Sequence, residues 1–236
     1  MKDQDQKGIF KSDLTIKSVY EGAWELFTSN LRTLITLAAI PSLLLLINGL
    51  IGLGIFEVAG SEESLKVGVG FAGVAFFIAT IVLVIVASIL VEAGSIKGLL
   101  KNGSKEFSVK EGFDLGKKHF MAFLGVSLVV VLYVLFGLIL LIVPGVLFAI
   151  WYSLAPIIVL DKNISTSDAM KQSKDLVRSN MGVLAKNYVV FVLISVVLGS
   201  LFDDAFSSAI YNLFASGFGA ALYVVIYKRL PLKDEN

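Results

Sequence analysis

The sequence contains no cysteine and only one histidine, His119. The first absence removes disulfide scaffolds, thiolate zinc sites, iron–sulfur clusters and thiol nucleophiles. The second makes a His-based metal site or a histidine-dependent catalytic triad a poor expectation. Charge is also scarce: Asp, Glu, Lys and Arg make up 17% of the 236 residues, against about a quarter in ordinary soluble domains. What is abundant is apolar, with 56% hydrophobic residues and a mean hydropathy of +0.84. That composition excludes a disordered chain and an ordinary soluble domain, and belongs to a polytopic membrane protein.

A hydrocarbon core roughly 30 Å thick needs about 20 apolar residues in a helix, because backbone amides without water must be satisfied inside the segment. Six stretches fit, over about 33–53, 67–91, 121–143, 145–160, 183–202 and 205–227, and the only charge inside them is Lys186, near the start of the fifth. The fourth is short; at 1.5 Å per residue it reaches only about 24 Å, which also suits a re-entrant hairpin. Charge parity decides for six crossings. If every stretch crosses, 19 of the 20 Lys and Arg fall on one side and only Lys66 on the other. By the positive-inside rule both termini are then cytoplasmic. No cleavable signal peptide is expected, since the first apolar run begins only at Thr33, and the first span is its own insertion signal.

The cytoplasmic segments carry a repeated signature. Ahead of spans one, three and five a Ser precedes an acid by three residues: Ser18 and Glu21, Ser108 and Glu111, Ser165 and Asp168. A Ser N-cap accepts from the N3 amide, so each pair marks a helix start. A small residue follows each acid (Gly22, Gly112, Ala169), which suggests a threefold unit of one amphipathic helix and one transmembrane hairpin. In the first copy Ile16, Val19, Tyr20, Ala23, Trp24, Phe27 and Leu31 follow helical spacing. In the second Val109, Phe113, Gly116 and Phe120 do, and in the third Met170, Ser173, Val177 and Met181. Such helices can lie at the headgroup plane; the alternative is that they are lead-in turns of longer helices.

Candidate chemistry is sparse. Asp203 and Asp204 with Glu57, Glu62 and Glu63 could hold a hard cation, yet the aspartates directly precede span six, where a helix N-terminus favours an acid. Neither a metal nor a cofactor is expected. Glu92, at the cytoplasmic end of span two, is the acid nearest the bilayer, with Lys97 a turn further on as candidate partner. Asn48 and Asn212 are the most interior strong polar groups. Ser208, Asn212, Ser216 and Ala220 recur every four residues along span six, a pattern that reads first as close helix packing. Residues 68–73 match GxGxxG literally but open an apolar helix instead of following a strand, so no nucleotide site is read there. Pro41 and Pro156 interrupt spans one and four.

The stretch from Ile142 to Asn180 holds Pro144–Gly145 at a tight turn, Trp151–Tyr152, Ala155–Pro156 before an apolar run, Asp161, and then Ala169, Lys171, Ser173 and Leu176 on the next helix. In these residues the chain resembles the membrane domain of glycerophosphoryl diester phosphodiesterases of bacteria, and related small uncharacterised prokaryotic six-helix membrane proteins. The resemblance implies a six-helix membrane domain. In that family the phosphodiester chemistry belongs to a separate soluble barrel domain, which is not expected in a chain ending at Asn236, so the resemblance transfers no activity and no residue role.

The expectation is therefore an all-α polytopic membrane protein, with six transmembrane helices and three short cytoplasmic amphipathic helices. It forms one integral domain over residues 1–236, and residues 1–32 are its cytoplasmic N-terminal segment. A prokaryotic cytoplasmic membrane is the expected location. The expected role is non-enzymatic and lipid-interacting, scaffolding or regulatory. Lys117, Lys118, Lys174 and Arg178 are the candidate contacts to anionic inner-leaflet headgroups. A second copy of the chain or another membrane protein is the other candidate partner, and nucleic acid is not one. The alternative is a small transporter or channel with a polar path near Asn48 and Asn212. Reporter fusions at Glu62, Lys105, Asp203 and the C-terminus should report outside, inside, outside and inside; an outside signal at Lys105 would overturn the topology.

Overall fold

The computed structural model describes residues 9–10, 13–59, 63–201 and 205–230, with 49–50, 52–59, 63–72 and 205–209 described by backbone alone. The described residues are helical, with no strand. In chain order the helices are α1 (Ile16–Ser29), α2 (Leu31–Ala59), α3 (Glu63–Asn102), α4 (Val109–Leu140), α5 (Ile142–Trp151), α6 (Ala155–Lys162), α7 (Thr166–Gly199) and α8 (Ala205–Arg229). Among the described residues six stretches are long and apolar enough to cross a membrane, α5 and α6 together making the fourth. The chain is a multi-pass membrane protein.

Two of the three expected caps form. The Ser108 and Ser165 hydroxyls accept from the backbone N–H of Glu111 and Asp168 at 3.1 and 3.2 Å. The first does not. There the Asp13 carboxylate accepts from the Thr15 N–H at 2.9 Å and from its hydroxyl at 3.1 Å, and α1 starts at Ile16. Ser18 thus falls inside the first turn, where its hydroxyl accepts from Arg229 Nη1 at 2.8 Å.

The lead-in segments also differ from three short separate helices. Only α1 is separate: it ends at Asn30, whose buried amide donates to the Leu26 and Gly103 carbonyls at 3.0 and 3.1 Å. The second runs unbroken into α4. The third runs on through α7, past one non-helical residue, Asn180 (φ −129°, ψ 19°). No proline or capping group interrupts residues 109–140, so nothing stops that helix from propagating.

The small residue after each acid is buried in all three copies: Gly22, Gly112 and Ala169. A Cβ at Gly22 would meet the Arg229 guanidinium, and one at Gly94 would strike the Gly112 carbonyl oxygen. One at Gly116 would strike the carbonyl of Leu90. These glycines therefore let α3 and α4 cross with their backbones nearly touching. In α1 the buried face is Val19, Gly22, Ala23, Leu26 and Phe27, while Ile16 and Trp24, expected on it, are 39% and 60% exposed. The face turns because α1 docks on α8, where Phe27 packs against Gly217, Phe214 and Phe218.

The turn between spans three and four falls at Leu141, in extended backbone (φ −166°, ψ 151°), ahead of the expected Pro144–Gly145. Pro144 sits in the first turn of α5, where its missing N–H costs nothing, and Gly145 packs against Gly137 across the hairpin.

Burial is uneven along the helices. Fully buried side chains gather at the end holding α1, α6 and the first half of α7, including Leu26, Phe27, Ile96, Leu99, Leu154, Ile157 and Leu160. At the opposite end Leu43, Leu46, Phe77, Leu83, Leu132, Phe136, Val192 and Val196 are exposed. Such apolar exposure suits lipid, which solvates it as well as a protein core would.

At the packed end Arg229 is 4% exposed and closes the structure. Its Nε donates to the Ile9 carbonyl at 2.7 Å, and its Nη1 to the Asp13 carbonyl and the Ser18 hydroxyl, both at 2.8 Å. The last helix thereby clasps the N-terminal segment through three charge-assisted bonds. Gly22→Ala and Arg229→Ala should each lower the thermal unfolding midpoint in detergent. Because they act on one contact, the double variant should lose less than their sum, with a coupling of about 0.5–3 kcal/mol; additive losses would show that the two residues do not meet.

Candidate functional site

Pro156 has no N–H to give to a preceding turn, so α5 stops at Trp151 and α6 starts at Ala155 with the proline in its first turn. Residues 152–154 interrupt a membrane span. In hydrocarbon each backbone group left without a partner costs several kcal/mol. Side chains from two other helices satisfy this break. The Ser173 hydroxyl of α7 accepts from the Leu154 N–H at 3.2 Å and donates to the Trp151 carbonyl at 2.7 Å, bridging both sides. The Tyr223 hydroxyl of α8 donates to the Ser153 carbonyl. The Tyr188 hydroxyl, further along α7, donates to Ser153 Oγ at 3.2 Å, and that hydroxyl donates on to the Ile150 carbonyl at 2.8 Å.

Beside the break lies a cavity of about 770 Å³, within the range of small-molecule sites. Leu34, Ala38, Pro41, Ser42 and Leu45 of α2 form one wall and Ser88, Val91, Glu92, Ser95 and Ile96 of α3 another, both at helical spacing. Phe123 and Ser127 of α4, Ser153 and Pro156 at the break, Tyr188 and Phe191 of α7, and a strip of α8 from Asn212 to Ile226 complete it. The fourteen helical steps from Asn212 to Ile226 make that strip about 21 Å long. Pro41 and Pro156 are both on the wall, but only Pro156 stands at a break; α2 runs unbroken through Pro41.

Glu92 supplies the only carboxylate of this lining. It is exposed, and it makes no hydrogen bond or ion pair among the described residues. The expected pairing with Lys97 does not occur. Five residues turn a helix through about 500°, which leaves the two side chains about 140° apart. Lys97 Nζ instead donates to the Leu160 carbonyl. Asp161, next in sequence, accepts from the Tyr227 hydroxyl at 2.9 Å and pairs with Lys228 at 3.2 Å.

Of the interior amides, Asn212 lines the cavity, while Asn48 is buried (8% exposed) and lies off the wall. The stripe along the last span faces the cavity at Asn212, Ser216 and Ala220. Close packing is carried one position further round, by Gly217 and Ala221. The four basic residues divide: Lys174 Nζ and the Arg178 guanidinium lie over the Trp151 ring at 5.0 and 5.6 Å, Lys117 Nζ over Phe113 at 4.4 Å, and Lys118 is exposed. None of these four lines the cavity. Glu57, Glu62, Glu63, Asp203, Asp204 and Ser208, with Gly49, Gly52, Gly54, Gly68 and Gly70, lie outside the described side chains. Among the described residues no cluster of three or more His, Asp or Glu could hold a metal ion.

The serines and tyrosines that shape the site were not singled out for this role from sequence. A lone Ser or Tyr within an apolar span has little contrast, and Pro156 beside Trp151–Tyr152–Ser153 was the one local sign. Comparisons of the chain with known protein families, with curated proteins and with solved structures find no match.

Ser173→Ala removes the hydroxyl without adding bulk at this buried position and leaves the Leu154 N–H and the Trp151 carbonyl without this partner. The cost should be about 1–3 kcal/mol for each group left unsatisfied, read as a lower unfolding midpoint in detergent. An unchanged midpoint would show that other groups satisfy the break.

Proposed function

We propose that this chain is a non-enzymatic, lipid-interacting membrane protein whose cavity takes an amphiphilic molecule from the bilayer. The observation that carries this reading is the cavity itself: a long wall of aliphatic side chains and glycine, with serine and tyrosine hydroxyls and one carboxylate along it. Apolar length with a few polar groups is the chemistry of a single-chain or acyl ligand. Both termini face the cytoplasm of a prokaryotic cell in this proposal, supported by the distribution of 19 against one basic residue. The basic collar at that end, with Lys117, Lys118, Lys174 and Arg178, then meets the anionic inner leaflet, each cation contributing about 1 kcal/mol. The kinship with the membrane domain of phosphodiesterases of the glycerophosphoryl diester type belongs to the same proposal and rests on the residues from Ile142 to Asn180.

A second reading, a small transporter, is favoured by one feature. The fourth span is broken beside the cavity, as discontinuous helices often are at transport sites. Its polar path would run by Asn212 and Glu92, with Asn48 standing apart.

Native mass spectrometry from nanodiscs tests the leading reading. The wild type should carry co-purified lipid that Ala215→Phe, which fills the cavity, reduces about tenfold. Neutralising the four collar residues should weaken the preference for anionic over neutral lipid by about fivefold per charge at 1 kcal/mol each. Equal retention by wild type and Ala215→Phe would overturn the cavity as a lipid site, and unchanged selectivity would overturn the collar.

A further inference from the structure

A carboxylate in the wall of a membrane cavity is costly unless something compensates it. Glu92 has no compensating charge paired with it among the described residues. It forms no ion pair and no hydrogen bond with them, and the nearest lysine in sequence, Lys97, is committed to the Leu160 carbonyl. Several hydroxyls of the same wall are committed elsewhere, while those of Ser95 and Ser127 make no hydrogen bond among the described residues. Tyr223 donates to the Ser153 carbonyl, Tyr188 to the Ser153 hydroxyl, and the Ser88 hydroxyl to the Val84 carbonyl at 2.8 Å. The carboxylate therefore lines a cavity whose wall also holds Ser95 on its own helix, Ala38 on α2 and Tyr223 on α8.

We infer that Glu92 is the counter-charge for a cationic headgroup, and that the cavity ligand is an amphiphile carrying a protonated amine on an alkyl chain. This rests on the cavity being the ligand site and names the class of molecule it takes. An ammonium group provides both the charge and the hydrogen-bond donors that the carboxylate lacks. The chain of such a ligand lies along the apolar strip of α8, between Ala215 and Ile226. An anionic amphiphile is disfavoured, because two like charges would share one low-dielectric space. The same ammonium chemistry is offered by a free alkylamine and by the ethanolamine headgroup of a bilayer phospholipid.

The test uses the full chain in phosphatidylcholine nanodiscs, with ligand retention read by native mass spectrometry. The probes are dodecylamine, dodecanol and dodecanoic acid, and, in a separate arm, phosphatidylethanolamine mixed into the bilayer. Wild-type protein should retain dodecylamine at least tenfold better than dodecanol or dodecanoic acid. Glu92→Gln should abolish that preference while retaining dodecanol as before, and Glu92→Asp should keep part of it. Enrichment of phosphatidylethanolamine by wild type but not by Glu92→Gln identifies the bilayer as the source; enrichment of dodecylamine alone identifies a free amine. Equal retention of amine and alcohol, unchanged in Glu92→Gln, would overturn the charge pairing while leaving the cavity as an apolar site. Retention of no probe by wild type, with Ala215→Phe indistinguishable from it, would overturn the cavity reading itself.

Discussion

The structure depends on the need to satisfy backbone polar groups where water is absent. The fourth span breaks at Tyr152–Leu154, and a break in hydrocarbon stands only if other parts of the chain supply its hydrogen bonds. One hydroxyl, that of Ser173, bridges the two sides of the interruption, and Tyr188 and Tyr223 hold Ser153 from two further directions. Those bonds tie α7 and α8 to α5 and α6. They also fix the first half of α7 against α6, so that the packed end of the molecule is assembled around the break.

Close approach is the second constraint. Glycine pairs let α3 cross α4 and let α4 fold back on α5, and Gly22 leaves room for the Arg229 guanidinium. The position after each capping acid is small because each copy of the unit is pressed against a different neighbour: a guanidinium at Gly22, the Leu37 and Phe107 side chains at Gly112, and the buried core at Ala169. One sequence pattern thus serves three contacts, which is why the copies look alike in sequence while only α1 is a separate helix.

The cavity lies beside the broken span, enclosed by α2, α3, α4, α7 and α8. Its wall is mostly aliphatic. Several of its hydroxyls are used in holding the fold, and its one carboxylate, Glu92, has no hydrogen bond or ion pair among the described residues. The same residue would be unremarked on a soluble surface. Inside a membrane protein, the cost of an uncompensated carboxylate makes it the most informative side chain of the site.

Sequence alone determined the class, the number of apolar stretches and two of the three helix starts. Hydropathy, charge distribution and capping are local properties, summed over neighbouring residues. Tertiary structure decided the rest. It placed the face of α1 one step round from the expected stripe, took Ser18 from a cap to a partner of Arg229, and turned Asn212 and Ser216 toward a cavity. It also committed Lys97 to the Leu160 carbonyl and brought Ser173 to Leu154, 19 residues away. The reason is physical: an apolar span has almost no polar contrast along its length, so which of its faces meets lipid, a neighbouring helix or an open cavity is set by helix crossings that no local pattern records.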